Sequence, residues 1–518
     1  MSMKPLVVTV DADMVPDRDL LGGKAASLVK LLRCGAAVPP AFVLTTEAYR
    51  AWAAQADEGA LRQWVRQGIS ELQRRTGREL GTGDGGLIVS VRSGAPISMP
   101  GMMDTVLNAG IGPIDADSPA YIRDARRRFL LQYSEIVLGF DEERIKELAA
   151  PCTDKYDAGM IGALEQRLAA EAEARGLSWP RGPEEEIAAA AGAVFASWDS
   201  SRAKLYRRMR KIDDNLGTAV TVQAMVFGNH DQASGSGVAF TRDPTTGENG
   251  LCGEFLQGGQ GEEVVAGRET AAGLPDWAVK YPGQHRELQQ LGLRLEADTG
   301  KVHEIEFTLE RGRLYILQCR PALLTKTAAA KIAVAMVGEE RLSKSEAVTY
   351  AKEHGFDPDT CASGLAIAPG ARRLGKGLPV GGGVATGRLA LSDRESVHLA
   401  QAGDPVIFAT VETSPSLLPV MQRSAGLITM LGGATSHAAV VARELGTPCV
   451  VGVGGDVADG LLSLDAASSA HAGDWVTING DTGEIFQGNV ATEGGVLSPE
   501  AAMLTQWIGE TAEASSAT

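Results

Sequence analysis

A single histidine carries the clearest potential for chemistry in this sequence. In the stretch GGATSHAAVVARELGTP, His437 follows two hydroxyl residues, Thr435 and Ser436, either of which can cap a helix that ends at Gly446. The free N–H groups and the dipole at a helix start stabilise an anion, and a neutral imidazole nitrogen is a good nucleophile toward phosphorus. His437 is therefore a candidate to accept a phosphoryl group. On this stretch alone, a histidine that fills a helix start without chemistry is the favoured interpretation.

A second group of polar side chains lies in VHEIEFTLERGRLYILQCR, residues 302–320, which predicts a β-hairpin. Alternation along the strand places Glu304 and Glu306 on one face. If residues 310–312 form a three-residue loop, Gln318 falls opposite Glu304, and Arg320 extends the same face. Two carboxylates can hold Mg²⁺ on a polyphosphate, and an adjacent arginine can bind phosphate. A solvated hairpin face with compensating charges explains the same pattern equally well.

The composition disfavours several classes of protein. The 518 residues are enough for more than one domain, and the net charge of -16 argues against nucleic acid or an anionic membrane as a partner. The six cysteines form no CxxC pair, which fits reduced thiols. The N-terminus reads as a short strand rather than a signal peptide, and no apolar run is long enough to span a bilayer. We expect a soluble, cytoplasmic protein.

Helical and strand patterns both occur along the chain and predict a mixed α/β fold. Residues 118–215 are mostly helical, and residues 218–320 are rich in expected strands, among them AVTVQAMVF, GSGVAFTRD and GEEVVAG. Two helical runs follow, and then a Gly- and Pro-rich stretch at 363–387, which predicts a boundary. Beyond it, short strands surround the His437 helix. There is no GxxxxGK[ST] motif, so the P-loop class is excluded.

The motif around His437 resembles the phosphohistidine motif of the phosphoenolpyruvate (PEP)-utilising enzymes, and its TSHAAVVAR form is closest to the pyruvate phosphate dikinase family. Ala434 stands where those dikinases usually carry a methionine. Further stretches resemble the nucleotide domain of the same family, in family order, and cover most of residues 20–325: LGGKAASLVKLLRCGAAVPPAFVLTTEA, VSVRSGAPISMPGMMDTVLNAGI, AVTVQAMVFGN with the segments SGSGVAFTRDPTTGE and GEFLQGGQGEEVVAG, and the 302–320 hairpin.

The resemblance implies an ATP-grasp nucleotide domain followed by a swivelling β/β/α phosphohistidine domain. We accordingly expect four segments: a nucleotide- and phosphate-binding domain at 1–325 with a helical insert at about 118–215, a helical connector and linker at 326–375, the phosphohistidine domain at 376–495, and a disordered tail at 496–518.

The resemblance also implies roles for individual residues. His437 becomes phosphorylated, and Thr435 and Ser436 flank the phosphate. Glu306 and Glu304, which replaces the usual aspartate, hold Mg²⁺. The remaining residues bind ATP or inorganic phosphate: Lys24 and Arg92 contact the ATP phosphates, Gln223 and Ser236 line the nucleotide site with Glu262 at its edge, Gln318 contacts the phosphates, and Arg128, Gly237 and Arg320 bind inorganic phosphate. Taken singly, each could instead be a surface charge or a structural polar residue.

The reaction implied by the resemblance has two steps. His437 attacks the β-phosphorus of ATP and releases AMP, and inorganic phosphate then takes the terminal phosphoryl group as pyrophosphate, which leaves phosphohistidine. The form SMPGMMDTVLN favours phosphate over water as the second acceptor. The 363–387 stretch is expected to let the histidine domain swing away from the ATP site.

A full-length dikinase continues into a β/α barrel that binds pyruvate, whereas this sequence stops shortly past the histidine domain. We therefore expect the phosphoryl acceptor, pyruvate by default, to bind on a separate barrel protein. Two alternatives stay open. One is a phosphotransferase with another small-molecule acceptor, and the other is a phosphocarrier or regulatory subunit that binds nucleotide without turnover.

Overall fold

The computed structural model describes residues 4–97, 99, 102–266, 272–357, 365–414, 417–465, 468–493 and 498–516. The chain divides into two compact units, residues 1–231 with 308–319 and residues 232–307 with 320–518. This division differs from the expected boundary near 325, because residues 308–319 belong to the first unit and the residues on either side of them to the second. The mixed α/β class is confirmed. No helix in the described ranges is long and apolar enough to cross a bilayer.

The first unit alternates strands and helices as β1 Val7–Thr9, α1 Arg18–Arg33, β2 Ala41–Leu44, α2 Thr46–Gln55, α3 Glu58–Thr76, β3 Val89–Gly94, β4 Thr105–Ala109, α4 Ala120–Ile136, α5 Glu142–Ala149, α6 Ala158–Ala174, α7 Pro183–Ser197, α8 Ser201–Arg210 and β5 Ala219–Ala224. The strands form one sheet in the order β1-β2-β5-β3-β4. The helices α4 to α8 confirm the helical content expected for residues 118–215.

Helix α1 begins with a capped turn and a kink that only glycine allows. Asp17 caps it by accepting from the N–H groups of Asp19 and Leu20, and Gly22 then adopts a φ of 75°. A Cβ at Gly22 would lie 1.7 Å from the carbonyl oxygen of Gly94, at the end of β3. The Gly23 N–H donates to the carbonyl of Ala95 at 2.9 Å. The start of α1 is therefore held closely against the end of β3.

The second unit begins with β6 Gly235–Arg242, β7 Asn249–Gln257, α9 Gly261–Ala266, β8 Ala272–Gly273, α10 Leu274–Lys280, α11 Pro282–Thr299, β9 His303–Glu310, β10 Arg313–Pro321, α12 Lys326–Gly338 and α13 Lys344–Glu353. Its first sheet has the order β10-β9-β6-β7-β8. The β9–β10 hairpin confirms the one expected at 302–320, although its middle, 308–319, belongs to the first unit.

The second unit continues through β11 Leu365–Ile367, β12 Arg373–Lys376, β13 Leu378–Gly381, β14 Val384–Ala390, α14 Asp393–Gln401, β15 Val406–Thr410, α15 Leu418–Arg423, β16 Gly426–Thr429, α16 His437–Leu445, β17 Cys449–Val451, β18 Asp456–Ala458, β19 Leu461–Asp465, β20 Ser468–His471, β21 Trp475–Asn479, β22 Glu484–Gln487, β23 Ala491–Glu493 and α17 Pro499–Ser516. An eight-stranded sheet has the order β12-β22-β21-β14-β15-β16-β17-β13, β18 to β20 form a small sheet, and β11 pairs with β23.

One expectation about local structure is wrong. The stretch GEEVVAG, expected as a strand, forms helix α9, because Glu262 and Glu263 lie in its first turn and Glu263 accepts from the N–H of Gln260 at 2.8 Å. The Gly- and Pro-rich stretch 363–387 is largely strand from Leu365 onward. Its first two residues lie outside the described ranges.

The tail expected to be disordered is also different, because α17 covers most of it. Ala501, Leu504 and Trp507 recur every three residues on one face and are buried in a cluster with side chains of α12 and α13. Lys344 adds an ion pair to Glu510 at 2.9 Å. Burial of a side chain such as Leu504 or Trp507 contributes about 1.5–3 kcal/mol, which is enough to favour an ordered helix.

Replacing Gly22 with alanine should lower the free energy of unfolding by about 2–4 kcal/mol, because the new Cβ meets the Gly94 carbonyl and the backbone is left-handed. The matched control is Gly35→Ala, since Gly35 has a similar φ of 76° but nothing within 4 Å of its Cβ position. It should cost only about 1–2 kcal/mol. Urea unfolding of both variants measures the difference, and equal losses would contradict the packing argument.

Candidate phosphohistidine site

His437 lies at the carboxyl edge of parallel strands. Strands β14, β15, β16 and β17 run parallel, and the loop after β16 leads directly to His437, the first residue of α16. The Ser436 side chain caps the helix by accepting from the Ala439 N–H at 3.4 Å, and Gly446 ends it with a φ of 67°. The predicted start and stop are therefore confirmed, with Ser436 rather than Thr435 as the cap. Ligands commonly bind at this edge of such sheets.

The imidazole ring of His437 is set up as a neutral base. Its Nδ1 lies 3.2 Å from the hydroxyl of Thr413, which follows the neighbouring strand β15. Its Nε2 is buried without a hydrogen-bond partner in the described ranges. Burial lowers the pKa of His437 below 6.5, and the charge of Glu444 opposes the shift. When Nδ1–H donates to Thr413, Nε2 keeps its lone pair for a phosphorus atom.

The loop before His437 presents its donors to a carboxylate. The Ala434 N–H donates to Glu254 at 2.8 Å, and the Thr435 hydroxyl donates to the other oxygen of Glu254 at 3.2 Å. A Cβ at Gly433 would lie 2.1 Å from a carboxylate oxygen of Glu254, so a larger residue there would displace the Glu254 carboxylate. These donors at a helix start suit an anion. Glu254 could not be predicted as a partner of this loop, because it lies far from the loop in the chain.

Arg443 holds the same loop from the other side. Its Nη2 donates to the carbonyl of Ala434 at 2.9 Å, and its Cζ lies 5.6 Å from the centre of the Phe240 ring on β6. Burial lowers the pKa of the Arg443 guanidinium, and the charge of Glu304 raises it. Arg443 lies inside the motif that resembles the family, but neither the type nor the spacing of Thr413 and Arg443 distinguishes them in the sequence.

The carboxylates of the hairpin lie near a cation. Glu304 is buried and forms an ion pair with Arg320 at 2.7 Å, and Glu306 is half-buried. Burial acts to lower the pKa of Arg320, but the charges of Glu304 and Glu306 outweigh it and raise that pKa. The expected meeting of Glu304 with Arg320 is therefore confirmed.

The hairpin turn differs from the expected one. Arg311 and Gly312 alone connect the strands, with φ values of 50° and 76°, as in a two-residue turn with a left-handed backbone. The predicted three-residue loop is wrong, because Arg311 adopts a conformation more common for glycine or asparagine. The pairing of Gln318 with Glu304 no longer follows from the loop. The Oε1 atom of Gln318 is buried without a hydrogen-bond partner in the described ranges.

Several other residues expected at the site lie on elements of the second unit. Ser236 is buried on β6. A Cβ at its neighbour Gly237 would come within 2.5 Å of the Phe307 ring, so close packing alone requires glycine there. Glu262 lies half-buried in the first turn of α9. Their phosphate-binding roles stay predictions.

Lys24 and Arg92 lie on two adjacent elements of the first unit, α1 and β3. A Cβ at Gly94 would be 3.6 Å from the Cβ of Lys24, and Arg92 shares that face of β3 because it is two residues away. Gln223 on β5 is buried, and its amide donates to the carbonyl of Pro39 at 3.1 Å. A solvent-facing Gln223 is thereby excluded.

The three consecutive arginines of α4 have different partners. Arg126 is buried in ion pairs with Glu165 and Glu186, both at 2.6 Å. Arg128 pairs with Asp124 at 2.8 Å, on the next turn of the helix. Arg126 is therefore committed to the fold, and Arg128 stays the residue predicted to bind inorganic phosphate.

The residues present fit a magnesium ion that arrives with nucleotide. No group of three or more His, Cys, Asp or Glu side chains able to hold a metal occurs in the described ranges. Glu304 and Glu306 offer two hard carboxylate ligands at i and i+2. Mg²⁺ is commonly held by one or two carboxylates together with substrate phosphates and waters. The pair therefore suits nucleotide-bound Mg²⁺ rather than an ion held by protein alone.

Comparison with protein families gives two matches. The family described as pyruvate phosphate dikinase, AMP/ATP-binding domain, matches residues 58–273, and the family described as PEP-utilising enzyme, mobile domain, matches residues 402–483. The second range contains His437 and Thr413. The first contains Arg92 and Glu254. The expected combination of an ATP-grasp-type domain with a phosphohistidine domain is confirmed.

Similar proteins cover nearly the whole chain. Pyruvate, phosphate dikinase of Rhizobium meliloti (strain 1021) is 39% identical over 95% of this chain and 58% of its own length. Pyruvate, phosphate dikinase of Clostridium symbiosum is 34% identical over 95% and 59%, respectively. Pyruvate, phosphate dikinase 1, chloroplastic, of Arabidopsis thaliana is 38% identical over 95% and 53%. The chain thus spans just over half the length of these curated relatives. With both matched domains in order, this chain belongs to the pyruvate phosphate dikinase family of PEP-utilising enzymes.

Proposed function

We propose that this chain is a dikinase-type phosphotransferase in which ATP and inorganic phosphate phosphorylate His437, with AMP and pyrophosphate as products. The phosphoryl group then passes to an acceptor, pyruvate by default, bound on a separate protein. The observation that carries the proposal is the Nε2 atom of His437, which is buried at a helix start without a hydrogen-bond partner in the described ranges. The names of the relatives support phosphate and pyruvate, and the matched AMP/ATP-binding domain supports ATP.

In the first step, Nε2 of His437 forms a bond to the β-phosphorus of ATP. The bond from that phosphorus to the oxygen bridging the α-phosphate breaks, and AMP leaves with the electron pair. Thr413 keeps the ring oriented through Nδ1. Inorganic phosphate then attacks the terminal phosphorus of the pyrophosphoryl-histidine. The bond from that phosphorus to the bridging oxygen breaks, which releases pyrophosphate and leaves phosphohistidine.

The proposal also includes the residues that are expected to bind Mg²⁺, nucleotide and inorganic phosphate. Glu304 and Glu306 would hold Mg²⁺. The bound ion would neutralise negative charge on the polyphosphate. Cations and polar groups orient the phosphates, since phosphoryl transfer depends mainly on position and charge stabilisation. The residues proposed for this task are Lys24, Arg92, Arg128, Gln223, Ser236, Gly237, Glu262, Gln318 and Arg320.

Incubation with Mg²⁺ and ATP labelled at the β-phosphate should give AMP and an acid-labile label on the wild-type protein. The His437→Ala variant should give neither, because the nucleophile is missing. The matched control is His398→Ala, since His398 is an exposed residue on α14 of the same unit. A labelled His437→Ala protein, or an unlabelled wild type, would rule out the proposed half-reaction.

The rate of labelling should stay level on acidification until the pH falls below 6.5, the ordinary histidine pKa, because burial lowers the pKa of His437. Only neutral imidazole has a free electron pair at Nε2, so a lower pKa extends activity to lower pH. The initial rate at saturating ATP, measured between about pH 5 and 8, gives this profile. An acidic limb centred above pH 6.5 would contradict the assignment.

Replacing Thr413 with valine should slow labelling by about 10–100-fold, because the hydroxyl that orients the nucleophilic ring is lost. The KM for ATP should be unchanged, since Thr413 is proposed to contact the imidazole and not the nucleotide. Thr413→Ser retains the hydroxyl and should keep most of the rate. If the serine and valine variants are equally slow, the hydroxyl is not what matters.

A further inference from the structure

Arg443 is a buried cation with incomplete hydrogen bonding. Its side chain is only 6% exposed. Nη2 donates to the Ala434 carbonyl, whereas Nε and Nη1 are buried without hydrogen-bond partners in the described ranges. A guanidinium has five N–H donors and stays charged in proteins. Burying such a group without acceptors costs free energy. An anion that accepts hydrogen bonds from Nε and Nη1 would remove this cost.

The surroundings indicate what kind of anion this is. The largest favourable charge interaction of Arg443 is with Glu304, and the largest opposing one is with Arg320. These are the residues of the hairpin ion pair, to which the proposed function assigns Mg²⁺ and phosphate. A phosphate oxygen bound there would have Arg443 and Arg320 as two cations, which is the usual environment of a polyphosphate.

We propose that Arg443 binds a phosphate oxygen during the phosphorylation of His437, through its free Nε and Nη1 groups. This inference rests on the proposed function and adds a residue to it. Arg443 lies on the same helix as His437, so nucleophile and guanidinium are carried by one rigid element, α16. The positive charge is then delivered to the phosphates together with the attacking nitrogen. The oxygen belongs either to ATP or to inorganic phosphate.

The test compares two phosphoryl donors on Arg443→Met and Arg443→Lys. ATP labelled at the β-phosphate reports the nucleotide-dependent reaction. Phosphoramidate, a small donor that phosphorylates histidine directly, reports whether the loop still presents a reactive His437. The matched control is Arg423→Met, because Arg423 is partly exposed on α15 and pairs only with Asp393 at 3.0 Å among the contacts described for it.

Arg443→Met should lose about 100-fold or more in ATP-dependent labelling, as expected for removal of a charge-stabilising donor, while phosphoramidate labelling should change less than about threefold. Arg443→Lys should recover part of the ATP-dependent rate, and Arg423→Met should resemble the wild type. A slower release of AMP without added phosphate would assign the contact to ATP. A normal AMP release with slower pyrophosphate release would assign it to inorganic phosphate.

Other results would overturn the inference. Equal losses with both donors would show that Arg443 only supports the loop through Ala434. No loss with either donor would show that its charge is not used. If the wild type itself takes label from phosphoramidate but not from ATP, the proposed function fails and this inference fails with it. A labelled wild type with an equally labelled Arg443→Met variant overturns the inference alone.

Discussion

The backbone of Ala434 is the fixed point of the histidine site. Its N–H donates to Glu254 and its carbonyl accepts from Arg443, so a carboxylate and a guanidinium hold the two peptide groups on either side of this residue. Hydrogen bonds to charged groups contribute about 1.5–3 kcal/mol each, more than bonds between neutral groups. His437 lies three residues further along the chain. The Ser436 cap fixes the helix start, and with it His437, relative to Ala434. Backbone contacts therefore locate the helix start that carries the reactive ring, and Thr413 orients the ring itself.

The charge balance of the site follows from the same arrangement. The unmodified imidazole is half-buried and neutral, whereas a phosphoryl group would bring negative charge to the start of α16. Donors already lie there, since the Ala434 N–H and the Thr435 hydroxyl are satisfied by the carboxylate of Glu254. A loop that binds a carboxylate so well is chemically suited to a phosphate oxygen. The site thus serves a neutral base and an anionic product with one set of groups.

Local features of the site could be predicted from sequence, because they depend on residues close together in the chain. Ser436 and Gly446 delimit the His437 helix, and alternating residues identify the hairpin that carries Glu304. The same reasoning failed where two local preferences compete. The valines of GEEVVAG favour a strand, but Glu262 and Glu263 stabilise a helix start. The polar tail is helical because Leu504 and Trp507 find a distant apolar surface. Contacts such as Glu254 with Ala434 leave no local pattern at all.

The ends of the histidine-bearing segment have a practical consequence. Leu365 pairs with Glu493 and Ile367 with Ala491, so the segment enters and leaves through two neighbouring strands. Such strands lie about 5 Å apart. The helices that flank this segment in the chain, α13 and α17, pack together in one buried cluster. The first and last residues of the segment 368–490 therefore lie side by side. Exchanging this segment between relatives would leave unchanged the distance between the two points at which it joins the rest of the chain.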